Sequence, residues 1–239
     1  METVLEIHEL TKKYRGIAAV DGVTLSVKRG EIYGFLGMNG AGKTTTIRMM
    51  LSLARPDSGT VRMFGERLTP RNLSPLSRVG AIVEMPGFYE NLTARENLEI
   101  SARLAGLPDK TAIEDALAAA GLADDDRKPA RDFSLGMKQR LGIARAVMHH
   151  PELVILDEPA NALDPAGIRD IRRLLVSLAK ERNIAVFVSS HILAEIEQIA
   201  DRVGVIHRGR VLEEISMDDL RKLNRTYAEF AVSDDAKAA

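Results

Sequence analysis

The sequence predicts an α/β fold with a largely parallel β-sheet that is covered on both faces. Strand patterns alternate with amphipathic helix patterns in residues 1–87 and again in residues 151–215, and such alternation is typical of parallel sheets. Residues 88–150 show helix patterns alone, which indicates a helical lobe inserted into the α/β core. Residues 216–239 form a C-terminal extension, and its end, SDDAKAA, is expected to be disordered.

The first part of the core is predicted to be rich in strands. Alternating apolar residues indicate strands at 4–10 and 23–30, and EIYGFLG at 31–37 is an apolar strand that runs into a glycine-rich turn. The elements expected next are a helix at 45–54 and strands at 60–65 and 79–84.

Three helices are expected in the inserted lobe. Thr93 and Glu96 have the spacing of a capping box, which marks the start of the first helix. The second helix covers residues 111–122, and the third begins at Ser134. Because Ser134 and the next residues are small, the third helix leaves backbone N–H groups accessible at its start, and this favours an anion there.

The core resumes with the apolar strand ELVILDEP at 152–159. Asp164 and Pro165 then form an N-cap and first-turn pair for a helix that extends to Lys180. The remaining elements are a strand at 184–191, a helix at 192–202 and a hairpin at 203–214.

Composition limits the classes of function that the chain can have. The 33 Lys and Arg residues nearly balance the 34 Asp and Glu residues, giving a net charge of −1, so no basic field favours a nucleic-acid partner. The chain has no cysteine, which excludes disulfides and cysteine-ligated metals. We expect neither a secretory signal at the N-terminus nor a membrane span, because no run of about 18 apolar residues occurs.

The segment GFLGMNGAGKTT carries the strongest chemical signal in the sequence. Gly37, Gly42, Lys43 and Thr44 have the G-x4-G-K-T spacing of a phosphate-binding loop, placed between a predicted strand and a predicted helix. Glycines allow backbone N–H groups to surround phosphates, Lys43 supplies positive charge, and the Thr44 hydroxyl can bind Mg²⁺. The alternative is a glycine-rich turn that matches by chance, and the correct placement argues against it.

Acidic and basic side chains follow two later strands. Asp157 ends the strand in LVILDEP, where a carboxylate can hold Mg²⁺ through water, and Glu158 could deprotonate an attacking water. Ser189, Ser190 and His191 end the next strand, at the sheet edge where ligands bind. Solvated acids at a strand end and a structural histidine are the alternatives.

These segments together resemble the nucleotide-binding subunit of an ABC transporter. GMNGAGKTT, the signature segment SLGMKQR, LVILDEP, ANALDP and His191 occur in the order of that family, and the resemblance covers about residues 4–215. It implies a P-loop NTPase with a RecA-like core, an antiparallel β subdomain and an inserted α-helical subdomain. It also implies ATP hydrolysis with ATP and Mg²⁺ as ligands, and a separate membrane permease as partner.

The resemblance assigns a role to each matching residue. Glu158 is the general base and His191 positions the γ-phosphate, while Thr44 and Asp157 hold Mg²⁺. Tyr14 stacks on adenine, unless it is a surface or packing tyrosine. The loop residues that contact ATP are Gly37, Met38, Asn39, Gly40, Ala41, Gly42, Lys43, Thr44 and Thr45.

The same resemblance implies that two subunits, expected to be identical, close head to tail around two ATP molecules. The signature turn of one subunit then caps the γ-phosphate bound by the other. The residues that act on the opposite site are Ser134, Leu135, Gly136 and Met137. The residues through which the two halves sense each other are Asn161, Ala162, Leu163 and Asp164.

Two positions depart from the common family pattern. Glu84 stands where most members have Gln, at a position that reaches Mg²⁺ and the attacking water; glutamate can still bind a hard cation through oxygen. Its extra charge beside phosphates leaves its effect on rate open. Met38 stands where proline is common, and we expect little consequence because this residue contributes only its backbone.

The stretch that follows Glu84 indicates a branch of the family. EMPGFYENLTARENL is similar to the ATPase subunits of bacterial systems that expel peptide antibiotics, of the bacitracin-resistance and lantibiotic-immunity type. In that family this loop faces the permease, so Phe88 and Tyr89 could form the coupling surface. The alternative is that both aromatic side chains pack in the core.

Three other classes of function are alternatives to a transporter ATPase. The first alternative is a soluble ABC ATPase that acts as an ATP-gated scaffold, and a neighbouring gene for a membrane protein would argue against it. A translation factor normally needs two ATPase halves and a basic surface, and a small-molecule kinase leaves SLGMKQR unexplained. We therefore expect an ATPase subunit held at the cytoplasmic face of the plasma membrane by its permease.

Overall fold

The computed structural model describes residues 2–107, 110–220 and 222, and within them the chain forms two β-sheets together with α-helices. The strands are β1 (Thr3–Tyr14), β2 (Ile17–Lys28), β3 (Ile32–Leu36), β4 (Ser58–Met63), β5 (Glu66–Arg67), β6 (Val79–Ile82), β7 (Leu153–Leu156), β8 (Ala185–Ser190), β9 (Arg202–His207) and β10 (Arg210–Ser216). The α-helices include α1 (Lys43–Met50), α2 (Ala94–Leu104), α3 (Lys110–Ala119), α4 (Leu135–Val147), α5 (Pro165–Lys180) and α6 (Leu193–Ile196).

The larger sheet has six strands in the order β10-β9-β3-β8-β7-β6. The five strands from β9 to β6 in this order pair in parallel, and β10 pairs antiparallel with β9. The carboxyl ends of β3, β7 and β8 therefore meet at one edge of the sheet, which is where ligands bind in α/β folds. The segments predicted to bind phosphate and Mg²⁺ follow these three strands.

The smaller sheet is antiparallel, in the order β2-β1-β4-β5. Its apolar face shares one buried cluster with the larger sheet, in which Ile7 and Val20 lie with Phe35 and Phe187. The rings of Tyr33 and Phe187 stack with centroids 5.5 Å apart. This packing holds the first part of the chain against the central strands of the larger sheet.

Helices α2 to α6 contribute to the buried cluster on the other face of the larger sheet, whereas the buried apolar residues of α1 belong to the cluster shared with the smaller sheet. One buried cluster contains Leu98 of α2, Leu117 of α3, Leu141 of α4 and Leu175 of α5, packed with Val186 of β8. Helices α2 to α4 all lie within residues 88–150. The exact division of the chain into subdomains, 1–87 with 151–215 and 88–150, stays a prediction.

Helix starts follow the sequence signals. Thr93 Oγ1 accepts a hydrogen bond from the Glu96 N–H at 3.2 Å, and the Thr93 N–H donates to Glu96 Oε2 at 2.8 Å. The capping box predicted for α2 is therefore confirmed. The N-cap predicted for α5 is also confirmed, since Asp164 Oδ1 accepts from the Gly167 N–H at 3.0 Å.

Two predicted helix ends are wrong. The helix expected at 45–54 ends at Met50, because Ser52 adopts a left-handed conformation (φ 58°) and the Leu53 N–H turns back to Arg48 O at 2.8 Å. The helix expected at 192–202 is only the short α6. Asp201 bonds through its backbone N–H and its side chain to the backbone of Ile32 instead, which starts β9.

The strand expected at 79–84 ends at Ile82, after which Glu84 has a positive φ of 67°. The hairpin expected at 203–214 is confirmed as the antiparallel pair of β9 and β10. The terminal segment SDDAKAA, predicted to be disordered, lies outside the described residues.

Candidate functional site

The phosphate-binding loop joins β3 to α1 at the centre of the larger sheet. Gly42 has a φ of 112°, and a Cβ atom there would lie 2.6 Å from Ala19 O. A Cβ atom at Gly37 would lie 2.6 Å from Ile206 O. Both positions therefore require glycine, and the close packing fixes the loop above the strand that precedes it.

Lys43 is the cation at this loop, and its side chain is 5% exposed. Its ammonium donates to Gly37 O at 2.6 Å and to Met38 O at 3.3 Å, and it pairs with Glu158 Oε1 at 3.0 Å. The carboxylate and the two carbonyl oxygens together compensate the buried charge. The ammonium is thus directed into the loop rather than to solvent.

Asp157 follows β7, and both oxygens of its carboxylate accept hydrogen bonds. Thr44 Oγ1 donates to Oδ2 at 2.7 Å, and Ser189 Oγ donates to Oδ1 at 2.6 Å. A hydroxyl and a carboxylate oxygen side by side are hard oxygen donors of the kind that Mg²⁺ prefers, since this ion also takes water and phosphate oxygens. The residues present therefore fit the ion that the resemblance implies.

Glu158 lies in a left-handed turn with a φ of 47°, directly after Asp157. Its Oε1 pairs with Lys43 at 3.0 Å, and its Oε2 lies 3.1 Å from His191 Nδ1. The structure thus brings the predicted base, the P-loop lysine and the predicted switch histidine into one chain of contacts.

Two adjoining cavities meet at Glu158. The first, of about 180 Å³, is bounded by the phosphate-binding loop and the start of α1. The second, of about 110 Å³, lies between Glu158, His191 and residues 161–163. Glu158 lines both cavities. A ligand bound at the phosphate-binding loop and the predicted communication segment, residues 161–164, would therefore both lie next to the Glu158 carboxylate.

The signature turn lies at the start of α4. Ser134 is exposed, and its Oγ accepts the Met137 N–H at 3.2 Å as the N-cap of the helix. A Cβ atom at Gly136 would lie 3.6 Å from Gly167 Cα and 4.0 Å from Leu163 Cδ2. The turn therefore borders the communication segment of its own subunit and is open to a second molecule.

No hydrogen bond or ion pair joins residues 134–137 to the phosphate-binding loop in the part of the chain that the structure describes. Leu135 belongs to the first turn of α4, and Leu163 is half-buried against the core, whereas Asn161 and Ala162 are exposed. Asp164 caps α5. The roles predicted for these residues across a dimer remain predictions.

Tyr14 is the last residue of β1 and is about half exposed. The Lys12 ammonium lies 5.5 Å from the centroid of its ring. The ring is thus accessible to a planar ligand, as the predicted stacking on adenine requires, and it is not a core residue.

Glu84 is placed differently from the rest of the predicted magnesium site. Its exposed carboxylate forms an ion pair with Arg48 of α1. Among the described residues, Glu84 makes no hydrogen bond or ion pair with Thr44 or Asp157, so the proposed magnesium contact of Glu84 stays a prediction. Arg48 was not expected at the site, because nothing local in the sequence distinguishes it from other surface arginines.

The two aromatic residues of the branch-specific loop, Phe88 and Tyr89, differ in burial. Phe88 packs against the helical core, and the Arg145 guanidinium carbon lies 5.0 Å from the centroid of its ring. Arg145 also donates to Gly87 O at 2.9 Å, and burial lowers the pKa of its guanidinium. Tyr89 is exposed. Core packing therefore describes Phe88, and only Tyr89 is available as a surface contact.

The family of this chain follows from its similarity to known proteins. The family model described as "ABC transporter" matches residues 20–161, more than half of the chain. This chain belongs to the ABC transporter family. The matched range contains the phosphate-binding loop, the signature turn, Asp157 and Glu158.

Two curated relatives confirm the branch that the sequence resembles. The bacitracin transport ATP-binding protein BcrA of Bacillus licheniformis is 57% identical over 238 residues, covering 100% of this chain and 78% of the relative. The lantibiotic transport ATP-binding protein SrtF of Streptococcus pyogenes is 36% identical over 224 residues, covering 94% of this chain and 96% of the relative.

A solved structure confirms the fold class. The dimeric post-hydrolysis state of an ATP-binding cassette with ADP and phosphate superposes with a TM-score of 0.78 at 25% identity, covering 89% of this chain and 98% of the other. This member of the ABC transporter family binds nucleotide and is an ATPase, as predicted. Among the helices that the structure describes, none has the length and apolar character needed to cross a membrane.

Proposed function

We propose that this chain is the ATPase subunit of an exporter that expels a peptide antibiotic of the bacitracin or lantibiotic type. The observation that carries the proposal is 57% identity, over the whole of this chain, to a bacitracin transport ATP-binding protein. The subunit drives a separate permease and is held by it at the cytoplasmic face of the plasma membrane. No nucleic acid takes part.

The triphosphate of ATP binds in the cavity of about 180 Å³ at the phosphate-binding loop. To reach the phosphates, the Lys43 ammonium exchanges the carbonyl oxygens of Gly37 and Met38 and the Glu158 carboxylate for phosphate oxygens. Backbone N–H groups of residues 39–45 surround the phosphates. Tyr14 is exposed for stacking on the adenine ring.

Thr44 and Asp157 hold Mg²⁺, and Glu84 reaches it from the adjoining loop. When bound, the ion neutralises charge on the phosphate oxygens. Asp157 is fixed for this task by the hydroxyl hydrogen bonds to both of its oxygens. Glu84 must leave Arg48 to take part, since that ion pair is its contact in this structure.

Hydrolysis requires a base beside the γ-phosphate. Glu158 accepts a proton from the attacking water, whose oxygen forms a bond to the γ-phosphorus while the bond to the β,γ-bridging oxygen breaks, giving ADP and phosphate. His191 lies beside Glu158 and positions the γ-phosphate by hydrogen bonding. Movement of the Lys43 ammonium onto phosphate frees the Glu158 carboxylate for this role.

Two copies close around two ATP molecules, and each supplies its signature turn to the other. The exposed Ser134 turn supports this arrangement, because it is available to a partner and is not joined to its own phosphate-binding loop in the described residues. ATP can drive closure only if it binds more tightly to the closed state. Contacts to the γ-phosphate across the interface provide that difference.

The permease docks at the junction of the core and the helical lobe. A groove of about 390 Å³ there is lined by Leu51 and Leu53, which follow α1, by Leu76, by Val79, Ala81, Ile82, Val83, Met85, Pro86 and Gly87, and by Arg145 as its cation. Met85 and Leu53 are 65% and 67% exposed in this groove. Because the groove lies beside the Glu84 loop, we assign it to an apolar segment of the permease.

Survival of cells exposed to peptide antibiotics tests the proposal. Deletion of this subunit should sensitise its host to bacitracin-like or lantibiotic peptides, and the wild-type gene should restore survival. Glu158→Gln should fail to restore it because turnover is lost. Met85→Glu should also fail, because a charge in the apolar groove opposes permease docking. The minimum inhibitory concentration across peptide classes is the measurement.

Leu212→Glu is the matched control, since Leu212 has the same 65% exposure as Met85 but lies outside the groove, in β10. It should restore survival. Unchanged sensitivity of the deletion strain to every peptide class would refute antibiotic export, and full rescue by Met85→Glu would refute docking at this groove.

A further inference from the structure

Ser189 is a fully buried hydroxyl at the carboxyl end of β8, and it contacts two residues of the neighbouring strand end. Its side chain is 0% exposed. Ser189 Oγ donates to Asp157 Oδ1 at 2.6 Å and accepts the Glu158 N–H at 2.9 Å. A hydroxyl has one hydrogen to donate, and that of Ser189 goes to Asp157. The Ser189 oxygen in turn accepts the hydrogen of the Glu158 N–H.

The Glu158 N–H needs a partner of this kind. Parallel pairing of β7 with β8 ends at Leu156 and Val188, and the Asp157 N–H donates the other way, to Ile82 O of β6, at 2.9 Å. Glu158 then turns into the left-handed region, with a φ of 47°. Its N–H has left the strand ladder, and Ser189 supplies the acceptor that β8 backbone does not.

The two bonds act on groups with different tasks. The bond to Oδ1 of Asp157 leaves Oδ2 turned to Thr44, the residue that shares the proposed magnesium site. The bond to the Glu158 N–H fixes the turn from which the Glu158 carboxylate reaches Lys43 and His191. One side chain therefore orients both the metal-binding acid and the base.

We propose that Ser189 is a positioning residue for ATP hydrolysis, which couples the orientation of Asp157 to that of Glu158 through a single hydroxyl. The inference rests on the roles proposed above for those two acids. Loss of the hydroxyl leaves the Glu158 N–H without its acceptor and lets the Asp157 carboxylate rotate away from Thr44. Magnesium affinity and turnover then fall together, whereas the phosphate-binding loop is untouched.

Ser190 provides the matched control. It is the next residue on the same strand and is also buried, at 5% exposure. Its Oγ accepts the Ile192 N–H at 3.0 Å and lies 3.0 Å from Glu195 Oε2, so it holds the segment after His191 and not the two acids. Ser190→Ala removes another buried hydroxyl of the same strand without touching Asp157 or Glu158.

The experiment measures ATP turnover of the purified full chain as a function of Mg²⁺ concentration. Ser189→Ala should lower kcat about 10- to 100-fold and raise the half-saturating Mg²⁺ concentration several-fold, the range seen when partners of metal ligands are removed. Binding of a fluorescent ATP analogue without Mg²⁺ should stay within about twofold, because the loop and Lys43 are intact. Ser190→Ala should shift the Mg²⁺ dependence by less than about twofold.

Near wild-type turnover of Ser189→Ala would overturn the inference. A fall in its kcat without a shift in the half-saturating Mg²⁺ concentration would do the same. So would a shift of that concentration in Ser190→Ala as large as the shift in Ser189→Ala. Ser189→Cys, which keeps a similar shape but bonds weakly, carries the same test if the alanine variant does not fold. Glu158→Gln is measured in parallel: wild-type turnover there would refute the role of Glu158 itself, whereas its inactivity beside an unaffected Ser189→Ala would refute only the positioning role.

Discussion

Glu84 makes a weak contact that it can exchange for another one. Its ion pair with Arg48 is exposed on both sides, so it contributes little to stability and can be exchanged for another cation at low cost. The positive φ of Glu84 shows that the chain turns sharply there, directly after β6. A side chain at such a turn can change partner without disturbing the sheet.

We expect Glu84→Gln to lower turnover roughly threefold to tenfold while nucleotide binding persists, because a neutral amide oxygen is a weaker magnesium ligand than a carboxylate. Steady-state ATPase kinetics and binding of a fluorescent ATP analogue measure the two effects. Arg48→Gln is the control, since it breaks the same ion pair and keeps the carboxylate. Equal effects of both variants would assign the loss to the ion pair, and loss of nucleotide binding in Glu84→Gln would mean that Glu84 mainly supports the fold.

Residue-level prediction from the sequence was strongest where spacing is local. Gly42, Lys43 and Thr44 lie in one turn, so their pattern alone predicted a phosphate-binding loop. The contacts of Ser189 with Asp157 join residues 32 positions apart, and only the pairing of β7 with β8 makes them neighbours. The sequence placed Ser189 at the right sheet edge but could not identify its partner.

At the scale of elements, helix starts were predicted better than helix ends. The capping box of α2 is formed by residues three apart, and sequence spacing is enough to find it. The end of α6 depends on Asp201 bonding to Ile32, 169 positions away. Tertiary hydrogen bonds of this kind override local helix preference, which is why the predicted helix at 192–202 was too long.

Glu152 joins three elements at the opposite edge of the larger sheet. It precedes β7 and forms ion pairs with Arg29, which follows β2, and with Arg78, which precedes β6. These arginines lower the pKa of the Glu152 carboxyl to about 2, from an ordinary 4.5. Because the pKa is lower in the folded state, the stabilisation is complete above about pH 4.5 and is lost as the pH falls toward 2.

Glu152→Gln should lower the free energy of unfolding by about 1–2 kcal/mol at pH 7, since both ion pairs are partly exposed. The difference from wild type should shrink below about pH 4.5, where the wild-type group begins to lose its advantage. Urea unfolding at pH 7 and at a pH near 3.5 gives both values. Glu2→Gln, which removes only the more exposed partner of Arg29, should have a smaller effect. A difference that does not change with pH would contradict the assignment.

At the scale of the whole molecule, the two parts of the proposed ATP site, the phosphate-binding loop and the signature turn, are built from different elements. The phosphate-binding loop and Glu158 lie at the carboxyl edge of the larger sheet, whereas the signature turn lies at the start of α4, beside Gly167 of α5. Since the described residues show no bond between the two, one copy alone would leave the γ-phosphate uncapped under the proposed function. The head-to-tail pairing that we propose for two copies would complete both sites at once.

Glu158→Gln should therefore accumulate as a dimer when ATP and Mg²⁺ are added, because closure proceeds and the hydrolysis that reopens it does not. Sedimentation velocity with and without nucleotide measures the change. Adding Ser134→Glu to that variant should abolish the dimer, since a carboxylate would then face the partner's γ-phosphate, whereas Ser77→Glu, which adds the same charge at another exposed serine, should leave it intact. Two results would contradict this arrangement: a dimer that survives Ser134→Glu, or a Glu158→Gln protein that stays monomeric at saturating ATP. Either result would show that the signature turn does not close over a second copy. The proposed closure of two copies around two ATP molecules would then be refuted.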